Sequence, residues 1–159
     1  MTGHLTLGVI GHVDHGKTAL VRALTGIETD RLREEQERGL SILLGFSYLD
    51  SSSGILDLID VPGHEDFIRT MISGTTGLDG VLMIIAANEG IMPQTREHFD
   101  IAQLLWIERG LIVVTKIDLV SAEELEAVEE SIRDCVKGSF LEGAEMIETS
   151  ALKSQGLDA

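Results

Sequence analysis

Gly11-His12-Val13-Asp14-His15-Gly16-Lys17-Thr18 fits the pattern G-x-x-x-x-G-K-T, and what flanks it decides the fold. Leu5–Ile10 reads as a β-strand and Lys17–Leu24 as a helix, the strand–loop–helix setting that gives this pattern its meaning. Glycines let the backbone curl until its N–H groups face inward, and the positive end of the helix dipole adds to that field. Such a loop binds phosphate oxygens. Lys17 is placed to neutralise β- and γ-phosphate charge and Thr18 to ligate Mg²⁺. The motif alone does not separate ATP from GTP.

Outward from the loop, short β-rich apolar runs alternate with amphipathic segments, predicting an α/β fold with a mostly parallel sheet. Leu43–Asp50 and Ile55–Asp60 flank Ser51-Ser52-Ser53-Gly54 and predict a hairpin, hence one antiparallel edge strand. Glu28–Arg38 is charge-dense and reads as a connection. A loop at Val61–Glu65 precedes a short helix carrying Phe67, Ile68, Met71 and Ile72. Val81–Ala87 and Leu111–Thr115 read as buried strands, with a helix between them from about Pro93 to Glu108. Ser121 and Glu124 form a capping box for a helix reaching about Lys137, and Met146–Thr149 is the sixth strand. The expectation is six strands, helices on both faces, and one domain over residues 1–159. Leu152–Ala159 is too short for a last covering helix, so we expect an N-terminal fragment of a longer protein.

Composition narrows the function classes. The chain is 43% hydrophobic and 25% charged, ordinary for a globular core. Its 12 basic and 27 acidic residues leave a formal net charge of −15, which repels nucleic-acid backbones at long range. Gripping RNA needs a local basic patch or another domain. A single cysteine, Cys135, and no signal-like or bilayer-spanning apolar run predict a cytoplasmic protein with no membrane partner, and a monomer is expected.

Thr115-Lys116-Ile117-Asp118 follows a buried strand, where ligands bind in open α/β sheets. A carboxylate there accepts from guanine N1–H and the exocyclic amine, donors that adenine lacks. By itself T-K-x-D also fits a helix-capping aspartate. In company with the phosphate loop, and with Ser150-Ala151-Leu152 downstream to offer amides to guanine O6, it favours guanine. The stem of Lys116 can lie along the base, and Thr115 can bond the loop or the base edge.

Asp60-Val61-Pro62-Gly63-His64 supplies D-x-x-G. Asp60 can hold Mg²⁺ through water and the Gly63 N–H can bond the γ-phosphate, so losing that phosphate releases the loop. His64 is the expected water-positioning residue in catalysis. Arg38-Gly39-Leu40-Ser41-Ile42 is the expected first switch. Its Ser41 hydroxyl would complete the Mg²⁺ shell, and Val13 and Leu40 would gate His64. No in-chain arginine finger stands out, which predicts slow hydrolysis accelerated by a partner.

With these residues in hand, the chain resembles translation-factor GTPases over nearly its whole length. G-H-V-D-H-G-K-T, R-G-L-S-I, D-V-P-G-H-E-D-F and M-P-Q-T-R-E-H occur in that family's order. Gly26–Leu32, the short stretch before Ser41, and Thr115 in place of the usual Asn are most similar to its selenocysteine-specific elongation-factor branch. General elongation or initiation factors, or a non-hydrolysing guanine-nucleotide sensor, are the alternatives. The resemblance implies a P-loop NTPase of Ras-like G-domain type that uses GTP/GDP and Mg²⁺. It also implies a switch in elongation that delivers an aminoacyl-tRNA, here selenocysteyl-tRNA, to the ribosome, with further domains downstream. Ser41 departs from the usual Thr, and Leu43-Leu44 from more polar residues.

Overall fold

The computed structural model describes residues 3–12, 14–26, 45–51, 54–60 and 78–158. Within them the chain runs β1 (Gly3–Gly11), α1 (Lys17–Thr25), β2 (Gly45–Ser51), β3 (Gly54–Asp60), β4 (Gly80–Ala86), α2 (Pro93–Leu104), β5 (Gly110–Thr115), α3 (Ala122–Val136) and β6 (Met146–Glu148). The strands form one six-stranded sheet in the order β2-β3-β1-β4-β5-β6. Every neighbouring pair is parallel except β2 with β3, the expected hairpin.

Alternation along the strands builds a core on each face. Val9, Leu58, Leu82, Ile84 and Val113 pack with Leu20 and Val21 of α1. Ile10, Met83, Ile85, Ile112 and Val114 pack with Phe99 and Ala102 of α2 and Ile132 and Val136 of α3. The α/β expectation with helices on both faces is therefore borne out. Seven consecutive buried residues in β4 follow from its central place, covered on both sides.

The capping box is present: Ser121 Oγ accepts from the Glu124 N–H at 3.2 Å, and the Glu124 carboxylate accepts from the Ser121 N–H at 2.8 Å. The helix expected to reach Glu108 stops instead at Leu104. The Trp106 N–H bonds Gln103 O at 3.0 Å and the Ile107 N–H bonds Ala102 O at 3.2 Å, a Schellman closure with Trp106 in the left-handed position at φ 58°. Glycine is the usual residue there, so the stop carries no sequence flag. Burial of Ile107 holds the turn. The 3₁₀ turn Ile117–Leu119 after β5 was likewise not expected.

Parallel pairing of β3, β1, β4, β5 and β6 puts their C-terminal ends on one edge. The connection from β1 runs to β2 on one side and that from β4 runs to β5 on the other, so the order reverses between the neighbours β1 and β4. That is the switch point where open α/β sheets bind ligands.

Candidate nucleotide-binding site

The loop after β1 enters α1 through two left-handed residues, Asp14 (φ 63°) and Gly16 (φ 85°). Gly11 has φ 151°, and a Cβ there would sit 2.4 Å from Ile84 O, so only glycine lets β1 run this close to β4. Lys17 is buried, and its Nζ donates to Gly11 O at 3.0 Å, joining the two ends of the loop. Thr18 is half-buried in the first helical turn. Gly16 caps α1 with no side-chain bond, which suits a terminus whose first amides face a ligand.

The loop after β5 lies against the phosphate loop. Thr115 Oγ1 donates to His15 O at 2.6 Å. Lys116 is left-handed at φ 57° and its Nζ donates to Asp14 O. A trans peptide points its N–H opposite to its C=O. Anchoring the Asp14 and His15 carbonyls on Thr115 and Lys116 therefore turns the following amides away from those side chains. The His15 N–H goes to His12 O at 3.3 Å.

Asp118 is half-buried, and its Oδ1 accepts from Ser150 Oγ at 2.6 Å. That bond holds its carboxyl below the usual aspartate range, with nearby Lys153 acting in the same direction. An ionised carboxylate here is an acceptor of the kind that a base with two adjacent N–H donors would need. Ser150 differs from expectation in one respect. Its N–H is engaged by Gln155 O at 3.0 Å, so its contribution is the hydroxyl, and any amide contact to guanine O6 falls to Ala151 and Leu152. The Gln155 N–H returns a bond to Ser150 O at 3.0 Å, closing the turn.

Two residues that sequence reasoning passed over, Glu89 and His98, complete the setting, and both act next to His15 or Gly11 of the expected loop. His15 is fully buried; its Nδ1 accepts from the Ala86 N–H at 3.2 Å and its Nε2 meets Glu89 Oε2 at 3.2 Å. Burial depresses its pKa against the opposing pull of Glu89. His98 of α2 is buried with its Nδ1 accepting from the Gly11 N–H at 3.4 Å. Desolvation, then the Lys17 charge, pushes it down to about 3, so it is neutral. Thr95, His98, Phe99 and Ala102 share the buried i, i+3, i+4, i+7 stripe of α2. Two polar residues on an apolar stripe were the available signal.

Gly11, His12, Asp14, His15, Gly16, Lys17, Thr18, Thr115, Lys116, Asp118, Ser150, Ala151 and Leu152 thus all lie at the C-terminal edge of the sheet. Asp60 ends β3 on that edge, its backbone in register with Val9 of β1. The expectations for Val13, Leu40, Ser41, Gly63 and His64, and for the helix carrying Phe67, fall outside the described residues. Thr18 lies in the first turn of α1 and the Asp60 backbone ends β3 at the same edge, and both are residue types whose oxygens suit Mg²⁺.

Residues 2–159 match the family model described as elongation factor Tu GTP binding domain. The selenocysteine-specific elongation factor of Desulfomicrobium baculatum is 54% identical over 153 residues, covering 96% of this chain and 24% of the relative. Translation initiation factor 2 subunit gamma of Thermococcus onnurineus is 39% identical over 177 residues, covering 97% of this chain and 43% of that one. A crystal structure of a bacterial selenocysteine-specific elongation factor superimposes with a TM-score of 0.86 at 44% identity, covering 97% of this chain and 27% of the other. The chain therefore spans about a quarter of the length of its selenocysteine-specific relatives.

Proposed function

Because the chain belongs to the elongation factor Tu GTP-binding domain family, we propose that it binds GTP with Mg²⁺, hydrolyses it, and serves as the nucleotide switch of a selenocysteine-specific elongation factor. The observation that carries this reading is the Ser150–Asp118 bond beside a phosphate loop anchored on Thr115 and Lys116. One sheet edge thereby offers an ionised acceptor for the guanine donors and a cradle of amides for the phosphates. A site built on such hydrogen bonds rejects a purine lacking the donors by roughly 10⁴–10⁵-fold.

In this reading Thr18, Ser41 and Asp60 hold Mg²⁺, which neutralises phosphate charge when bound. Lys17 leaves Gly11 O for the β- and γ-phosphates, the Gly63 N–H senses the γ-phosphate, and His64 orients the attacking water. The whole factor would work in the cytoplasm, carrying selenocysteyl-tRNA to the ribosome. The formal charge of −15 fits a division of labour in which other domains grip the RNA. Similarity to the initiation-factor gamma subunit favours, as a second reading, a GTPase of initiation.

Titration with GTP, GDP and ATP, with and without Mg²⁺, tests the reading. Strong preference for the guanine nucleotides is expected, and equal affinity for ATP would overturn it. His64→Ala should depress hydrolysis far more than GTP binding. An equal loss of both would remove His64 from catalysis. Selectivity of the full protein for selenocysteyl-tRNA over seryl-tRNA separates the elongation reading from the initiation one.

A further inference from the structure

Glu89 lies in the turn after β4, outside every motif considered so far, yet it touches both loops of the site. Its Oε2 is 3.2 Å from His15 Nε2, and its Oε1 is 3.9 Å from Lys116 Nζ. The His15 tautomer follows from its other contact. Because Nδ1 accepts from the Ala86 N–H, the ring proton sits on Nε2, and that N–H donates to Glu89. The His15 ring is fully buried with Glu89 in place, so the carboxylate and not water is the acceptor of its Nε2–H.

The two contacts differ in weight. Lys116 and Glu89 are each about a third exposed and 3.9 Å apart, a pair that contributes little. The histidine bond has one fully buried partner and an ionised acceptor, which makes it the stronger restraint. What it restrains is the phosphate loop. Asp14 is left-handed without being glycine, a conformation that aspartate visits occasionally and that the surrounding contacts hold here. Those contacts are Lys116 on Asp14 O, Thr115 on His15 O, and the two ends of the His15 ring. Releasing Nε2–H strands a buried donor, and the ring must shift to satisfy it, taking the Asp14-His15-Gly16 backbone along.

We infer that Glu89 is a positioning residue for the nucleotide's phosphates, acting through the His15 ring and not by touching the ligand. This rests on the guanine-nucleotide reading above. Glu89→Ala removes the acceptor, whereas Glu89→Gln keeps a neutral amide oxygen for the His15 N–H and loses the charge that both strengthens that bond and faces Lys116.

Release of a fluorescent GDP analogue, measured by displacement, tests the inference on wild type, E89A, E89Q, H15A and H15A/E89A. E89A should release it about tenfold faster, with E89Q between the two and nearer to wild type, since it keeps an acceptor but not the charge. Adding E89A to H15A should accelerate release no further, since the two act as one unit. Wild-type release from E89A, full multiplication of the two single effects, or E89Q as fast as E89A would each overturn the histidine route. Wild-type protein that binds GDP no better than ADP would instead defeat the guanine reading and this inference with it. Guanine preference in wild type with unchanged release in E89A defeats the inference alone. Melting of nucleotide-free E89Q within about a degree or two of wild type is expected, with E89A and H15A lower by several degrees because each disturbs a buried group. A fall in E89A melting with no change in release would make Glu89 a fold-stabilising residue only.

Discussion

The Ser150 hydroxyl donates to the half-buried Asp118 carboxylate, and that bond holds its direction and favours its ionised form. Its pKa is lowered by the bond first, so the ionised form that guanine needs is favoured well below neutral pH. Ser150→Ala removes the donor and leaves Asp118 free to rotate, and ordering it then falls to the ligand. We expect about a fivefold loss of GDP affinity by calorimetry, the size of one net hydrogen bond, with affinity for ADP unchanged. An unaltered GDP affinity in Ser150→Ala would mean that Asp118 is oriented by something else. The sequence marked both residues, but it could not say that Ser150 acts through its hydroxyl. Its amide is taken up by Gln155 O, a contact made across a turn with no motif of its own.

At the scale of elements, what was legible follows a clear physical rule. Strands with strict burial, the β2–β3 hairpin and the Ser121–Glu124 box announce themselves because local chemistry and tertiary placement agree. The α2 stop did not, because Trp106 takes the position that glycine would flag and is held by the burial of Ile107. Glu89 and His98 escaped, as did the contacts that His15 makes outside its own loop, because these arise between elements that only the sheet order brings together. The turn that carries Ser150 depends in the same way on Gly156. Its φ is 69°, and a Cβ there would lie 2.0 Å from Glu148 O at the end of β6. Gly156→Ala cannot be accommodated without moving the backbone, so the 150–155 turn should shift. We expect a loss of about 1–3 kcal/mol in chemical denaturation together with weakened GDP binding. Stability and binding both at wild-type values would show that the turn is not fixed by this close approach.

For the molecule as a whole, the buried histidines tie stability to pH. His98 is neutral in the folded chain with a pKa of about 3, against about 6.5 when unfolded. Its contribution is therefore fully present above about pH 6.5 and is lost as pH falls toward 3, because the unfolded chain takes the proton first. Between pH 7 and pH 5 this one group should cost about 2 kcal/mol. His15 acts in the same direction, since burial also lowers its pKa. Two features oppose it: Glu148 is raised by burial and by Glu129, so protonating it favours the folded chain, and a net charge of −15 means that acid relieves repulsion among carboxylates. The raw stability of the wild-type protein therefore mixes both signs, and the difference between variants isolates His98. His98→Asn keeps an acceptor for the Gly11 N–H but cannot titrate. Urea denaturation at pH 7 and pH 5 should show wild type losing about 2 kcal/mol more than His98→Asn. Parallel losses in the two proteins would mean that His98 is already accessible to protons in the folded state, and that the contact between α2 and Gly11 opens at equilibrium.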